Sequence, residues 1–202
     1  MRLGLRDRIE AAIGGLDGWC TVEKGVRLTE LIEEANADLS VELGVFAGRS
    51  AIAMAIGHQI VGKGHVVAVD AWDVAAALDG ANDPKNDEWW AQIDMEAVYH
   101  RVVRAVDRLG LAPHCRIVRD YTERAAALLA DGSVAILHQD SNHSEKVSVA
   151  EIELWTPKLR PGGLWVMDDS NWPTMQRARA LLMERGFAVI EDHGSWQVCR
   201  KT

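Results

Sequence analysis

Cysteine is scarce in this chain. Cys20, Cys115 and Cys199 are odd in number, widely separated and lack a Cys-x-x-Cys spacing, which argues against a disulfide framework or a zinc site and for a reducing cytoplasm. Long apolar runs are missing as well: none approaches the roughly 20 residues that span a bilayer. The N-terminal stretch carries Arg6, Asp7, Arg8 and Glu10 where a signal peptide would be apolar, so no membrane role is expected. Basic residues are in deficit, 22 Lys and Arg against 30 Asp and Glu, for a net charge of −8. That balance repels phosphate backbones, and nucleic acid is not the expected partner. Internal repeats and low-complexity tracts are absent. What remains is an ordinary globular composition, 48% hydrophobic and 26% charged over 202 residues, about enough for one α/β domain. Tryptophan, with eight copies, is the one excess.

A motif recurs along the chain: a short apolar run ending in an acid or glycine, then a helical stretch. The runs are Ser40–Gly44, His65–Asp70, Cys115–Asp120, Val134–Asp140 and Gly163–Asp168, and the intervening segments Ser50–Val61, Met95–Leu109, Thr122–Ala130 and Ser144–Leu159 read as helices. Such alternation predicts βαβ units and a parallel sheet. The tail differs: a helix over Pro173–Arg185, then two β-like runs, Phe187–Glu191 and Trp196–Cys199. The four-residue connector between those runs suits a hairpin, hence one antiparallel strand. Residues 1–39 read as an N-terminal segment of two amphipathic helices, with 40–202 as the main domain. Residues 73–90, rich in polar turn-formers (Gly80, Asn82, Asp83, Pro84, Asn86) and ending in Trp89-Trp90, read as a surface insertion that could act as a lid.

Glu42-Leu-Gly44-Val-Phe46-Ala-Gly48-Arg-Ser50 stands where the first strand meets its helix. Glycines there let backbone approach a ligand, and a helix N-terminus offers free N–H groups. A dinucleotide fingerprint starting at Gly44 would need glycine at 46 and 49, where Phe46 and Arg49 stand, so NAD and FAD are disfavoured. Asp70, ending the second strand, suits both hydroxyls of a ribose lying over that turn.

This combination resembles the cofactor motifs of class I S-adenosylmethionine (SAM) methyltransferases, and among them the small-molecule branch called methyltransferase family 24. Gly18-Trp19-Cys-Thr21, Gln139-Asp140-Ser-Asn-His143-Ser144 and Leu159-Arg-Pro161-Gly-Gly163 followed by Asp168-Asp169 extend the likeness over residues 18 to 170. It implies a single Rossmann-like, doubly wound α/β sheet of seven strands, order 3-2-1-4-5-7-6 with strand 7 antiparallel and helices on both faces. It implies SAM as cofactor, with Glu42, Gly44, Phe46, Gly48 and Ser50 near its methionine end and Asp70 on its ribose. Asp120 and Tyr121 would lie by the adenine, Asp140 nearby. Trp72 is expected either on the adenine face or buried as core.

In that sheet order Asp140, Asp168 and Asp169 meet at neighbouring strand tips. Converging carboxylates repel unless a cation or proton joins them, and oxygen-only ligands point to Mg²⁺, Mn²⁺ or Ca²⁺ rather than zinc. Consecutive strand residues face opposite ways, so Asp168 and Asp169 share an ion only if the strand ends there. Asn142 with Glu145 reads as a capping box that makes His143 the first helical residue. A helix N-terminus and a nearby cation would both keep its imidazole neutral, as a general base requires. The resemblance agrees, since metal-dependent sugar O-methyltransferases carry a histidine at this spacing. Where the family reads Ile-Asp-Gly-Asp-His-Ser-Tyr, this chain has Gln139-Asp-Ser-Asn-His-Ser-Glu145. The other six histidines, His138 included, read as structural.

The expected activity is therefore metal-assisted O-methylation of a small molecule (a sugar, phenol or secondary metabolite), with His143 taking the proton and Trp89, Trp90 and Trp172 enclosing the acceptor. Trp155 and Trp165 read as core. Three alternatives stand beside it: a SAM-binding relative serving a partner hydroxylase, an RNA methyltransferase, and a structural domain with no cofactor. The amphipathic N-terminal segment would suit a homodimer contact.

Overall fold

The computed structural model describes residues 4–81 and 83–202. Residues 1–3 of the expected N-terminal segment, and Asn82 of the insertion, lie outside the described residues. Seven strands form one sheet in the order β3-β2-β1-β4-β5-β7-β6. They are β1 (Leu39–Leu43), β2 (His65–Asp70), β3 (Cys115–Arg119), β4 (Val134–Gln139), β5 (Leu159–Met167), β6 (Phe187–Asp192) and β7 (Gln197–Lys201). The first five pair in parallel, and β7 runs antiparallel to both β5 and β6, as the hairpin connector predicts.

Strand parity sorts the sheet into two apolar layers. Val66, Ala68, Ile136, Val166 and Val198 pack with helices α1 (Leu5–Ile13), α2 (Val22–Glu34) and α3 (Arg49–Val61). Val41, Leu43, Val69, Leu137, Trp165 and Met167 face the other way, toward α7 (Thr122–Ala125), α8 (Glu145–Trp155) and α9 (Gln176–Glu184). With both faces covered, the central strands β1, β2 and β4 are buried almost throughout. Trp155 and Trp165 are fully buried in the second layer. The same parity puts Glu42 of β1 and His138 of β4, register partners, on the α2–α3 face.

Several boundaries differ from expectation. The helix expected to run from Ser144 to Leu159 ends at Trp155, because Pro157 cannot donate into the helix and imposes a tight turn; β5 then starts at Leu159 rather than Gly163. The helix expected over Thr122–Ala130 ends at Ala125 and tightens into a short turn at Ala126–Leu128. The insertion is more ordered than a loop: it folds into α4 (Val74–Ala77) and α5 (Pro84–Trp90), each begun by an aspartate cap, Asp73 and Asp83. It is followed by α6 (Met95–Arg108). No described helix is long and apolar enough to cross a membrane.

Candidate active site

The site lies at the C-terminal tips of β1, β2, β4 and β5, the usual ligand edge of a doubly wound sheet. Two adjoining cavities open there. The smaller, about 120 Å³, lies over β1–β3 and is lined in part by Asp70, Asp73 and Tyr121. The larger, about 400 Å³, is lined in part by Lys24, Ser50, Asp168, Asp169 and Trp172. Gly44, Phe46, Asp140, Ser141 and His143 border both.

The glycine turn serves packing as much as any ligand. Gly44 has φ 83°, and a Cβ there would sit 2.2 Å from the Asp140 carbonyl oxygen. Gly48, expected at the methionine end, lines neither cavity: its Cα faces Val102 of α6, with 3.3 Å left for a Cβ. Glu42 is likewise displaced from its expected place. It is wholly buried beneath the turn, and its Oε1 lies 3.0 Å from Nδ1 of His138.

Asp70 holds this turn from the side. Its Oδ2 accepts the N–H groups of Val45 and Phe46, both at 2.9 Å, and its Oδ1 accepts that of Trp72 at 2.7 Å. A carboxylate has about four acceptor positions, so one is left, where two ribose hydroxyls were expected. Trp72 is core: 2% exposed, its indole N–H given to the Phe46 carbonyl and its ring edge-on to Tyr99. It lines neither cavity. Asp120 spends its carboxylate on the Tyr121 N–H and Arg124 and also stays outside the cavities, whereas Tyr121 borders the smaller one and donates to Asp73.

The acids converge, with company that the sequence reading did not foresee. Asp140 and Asp168 share a face with His138, and the donor atoms of these three lie within 4.8 Å of one another. Lys24, on α2 and 5% exposed, sets its Nζ 2.5 Å from Asp168 Oδ2. Burial pushes the Asp168 carboxyl upward, but the Lys24 ammonium overcomes it and holds Asp168 at about 2. Asp140, buried and facing the Asp168 charge, is driven well above the usual carboxylate range. Asp169 takes another direction. The chain leaves β5 at Met167, Asp169 adopts a left-handed φ of 45°, and its Oδ2 comes 3.4 Å from His143 Nε2.

His143 precedes the helix instead of opening it. Ser144 is the N-cap, accepting from the Val147 N–H, and α8 begins at Glu145. Asn142 clamps the insertion by donating to the carbonyls of Ala76, Ala77 and Asp79, while its Oδ1 accepts from Ser144 N. The imidazole is neutral for a different reason from the expected one: burial lowers it to about 4. Its Nε2 has no hydrogen-bond partner, and its ring tilts against Trp172 at 5.2 Å. Phe46, Trp19, Trp89 and Trp90 pack together at 4.8–6.1 Å between ring centroids. Trp90 borders both cavities and Trp19 the larger one; Trp89 stacks behind them, outside either lining.

Lys24, His138 and Trp19 are the site residues missed in the sequence. Lys24 falls on the buried stripe of α2 with Leu28 and Leu31, and a lysine on an apolar stripe is itself a signal. His138 stands two residues before Asp140, hence on the same strand face.

Glu151 of α8 is a further buried acid at the smaller cavity, accepting from Ser141 Oγ at 2.7 Å and Gln139 Nε2 at 2.9 Å. Burial raises it from 4.5 to about 7. The folded state thus favours the protonated form, so this contribution is complete below about pH 4.5 and fades as pH rises through about 7. Its size is about 3 kcal/mol, from the width of that window. Denaturation from pH 5 to 8 is expected to show wild type losing stability relative to Glu151→Gln by that order; parallel curves would refute the assignment.

A family profile described as a methyltransferase domain matches residues 41–170. No curated protein matches the sequence. Among solved structures, the Podospora anserina methyltransferase PaMTH1, solved with SAH bound, has a TM-score of 0.70 at 13% identity, covering 100% of this chain and 88% of that one. The O-methyltransferase from Bacillus cereus, in complex with SAH, has a TM-score of 0.64 at 15% identity, covering 100% and 92%. Cofactor-bound Rv0187 from MTB has a TM-score of 0.62 at 18% identity, covering 97% and 85%. At these identities the likeness is one of fold.

Proposed function

The chain belongs to the methyltransferase family, and from that premise we propose that it transfers a methyl group from SAM to a hydroxyl oxygen of a small molecule (a sugar, phenol or secondary metabolite), assisted by a divalent cation. The observation that carries this reading is the shared border of the two cavities, where Gly44, Asp140 and His143 belong to both. A donor reaching from Asp70 and Tyr121 in the smaller cavity across that border would present its methyl group to an acceptor in the larger one. Holding the two partners near contact supplies much of the acceleration in such a transfer.

Two carboxylates offer oxygen ligands to the cation: Asp140 and Asp168 have donor atoms within 4.8 Å of one another, and the Lys24 ammonium on Asp168 Oδ2 marks a position that already holds positive charge. Asp140 and Asp168 would hold the ion, with Asp169 in reach of the same cavity. When bound, a divalent ion lowers the pKa of a hydroxyl that touches it. His143 Nε2 accepts the acceptor's proton, and Asp169, 3.4 Å away, steadies the imidazolium that results. The oxygen then takes the methyl group in line, and the sulfonium leaves as a neutral thioether. Trp172 and the Trp19–Phe46–Trp90 cluster wall the cavity against water.

Calorimetry with SAM, followed by assay of S-adenosylhomocysteine release with a panel of sugars and phenols plus Mg²⁺ or Mn²⁺, tests the reading. Micromolar SAM uptake and release with at least one hydroxylated compound are expected. No SAM uptake overturns the reading as a whole. SAM uptake without release across the panel overturns O-methylation and favours a partner-hydroxylase or inactive relative.

A further inference from the structure

One buried dyad is unused by the chemistry above. Glu42 and His138 are both 0% exposed and joined at 3.0 Å between Oε1 and Nδ1. Yet Oε2 of Glu42 and Nε2 of His138 have no hydrogen-bond partner. Leaving a buried donor or acceptor unpaired costs about 1–3 kcal/mol, and here two such atoms lie at the ends of one pair. The ring is not set in apolar core alone: a His138 nitrogen lies within 4.8 Å of the Asp140 and Asp168 carboxylate oxygens, and of its two nitrogens Nδ1 is taken by Glu42 while Nε2 is without a partner.

The sheet explains the convergence. His138 and Asp140 are two residues apart on the β4 line and share a face. Val166 is the β5 register partner of His138, so Asp168, two residues on, points the same way. Asp169 has the opposite parity and turns to His143. Three donors on one face therefore comprise one imidazole nitrogen and two carboxylates.

We infer that His138 is a direct ligand, through Nε2, of the divalent cation proposed above, completing an N,O,O set with Asp140 and Asp168 while Glu42 holds its Nδ1–H. The inference rests on the divalent-cation reading and deepens it. A carboxylate behind a ligating histidine fixes the ring and raises its basicity, the usual arrangement around histidine-bound metals. Metal–donor bonds of about 2.0–2.2 Å keep donors within roughly 4.4 Å of one another, so closing the set asks a few tenths of an ångström. An imidazole donor also changes which ion is favoured. All-oxygen sites suit Mg²⁺, whereas nitrogen shifts preference toward Mn²⁺, Co²⁺ or Zn²⁺. The Lys24 ammonium, 2.5 Å from Asp168 Oδ2, stands in a cation's position there, and the ion takes that oxygen only once the ammonium leaves it.

The full chain, stripped with chelator and without SAM, is titrated with Zn²⁺ while the imidazole nitrogens are followed by ¹⁵N NMR. Nε2 of His138 is expected to move by the large shift of direct metallation and Nδ1 to move little. Calorimetry is expected to give His138→Gln at least a tenfold loss of Mn²⁺ affinity with Mg²⁺ affinity nearly unchanged. The NMR arm uses wild type and so stands even if His138→Gln misfolds. Saturable Mg²⁺ and Mn²⁺ binding with an unmoved His138 resonance overturns this inference and leaves the cation reading intact. Absence of any divalent-ion binding overturns both, while SAM uptake and methyl transfer are judged by their own assay.

Discussion

His143→Ala is expected to lower kcat by about 10²–10⁴-fold, the usual worth of a positioned general base, while the Kd for SAM stays within about threefold. The expectation comes from what the side chain does and does not touch. Its Nε2 is buried without a hydrogen-bond partner, so its removal breaks no hydrogen bond at that nitrogen, and burial keeps the imidazole neutral with its pKa near 4. Nε2 lies 3.4 Å from the Asp169 carboxylate and 3.8 Å from that of Asp140, neighbours that gain importance once a proton arrives. The donor-side contacts that the site offers, around Asp70 and Tyr121, lie in the smaller cavity, and His143 only borders it. Stopped-assay turnover and calorimetry on the same preparation check the split. Loss of SAM binding together with turnover would make His143 a donor-site residue and remove it from the base role.

The architecture was legible because its signals are local and repeated. Apolar runs ending in Asp70, Asp140 and Asp168, separated by helical segments, dictate a parallel sheet with its polar tips on one edge; the strand order is what the family resemblance implies, and the structure has that order. Within the site, only placement at a strand tip is legible: Asp140 and Asp168 come together as that rule expects. The role of Trp72 is not, because nothing local distinguishes a ring that stacks on a ligand from one that gives its N–H to Phe46. The capping pattern at Asn142 is ambiguous for a similar reason: Asn142 and Ser144 are both good caps. The choice was made by distant carbonyls at Ala76, Ala77 and Asp79, which claim the Asn142 amide. Lys24 is the clearest long-range case. It pairs with Asp168 across 144 residues of sequence, and only the packing of α2 on the sheet reveals that the acids meet an ammonium.

Gly44→Ala is expected to destabilise the chain by at least about 3 kcal/mol, the range reserved for named steric or core failures. Two effects combine. The residue has φ 83°, which costs a side-chain-bearing residue about 1–2 kcal/mol. The added Cβ would also lie 2.2 Å from the Asp140 carbonyl oxygen and 2.5 Å from Ser141 Cα, and both are backbone atoms that no rotamer change can move. Gly62→Ala separates the two effects. Its φ of 78° is nearly the same, but a Cβ there meets nothing within 4 Å, so only the conformational cost of about 1–2 kcal/mol applies. Urea denaturation of the two variants should therefore differ by at least about 1–2 kcal/mol, the excess being the clash that Gly62 lacks. Equal losses would mean that the β4 tip yields at little cost. The Asp140 backbone would then be no fixed wall of the site, and the close seating of the two strand tips that brings both cavities to His143 would lose its structural basis.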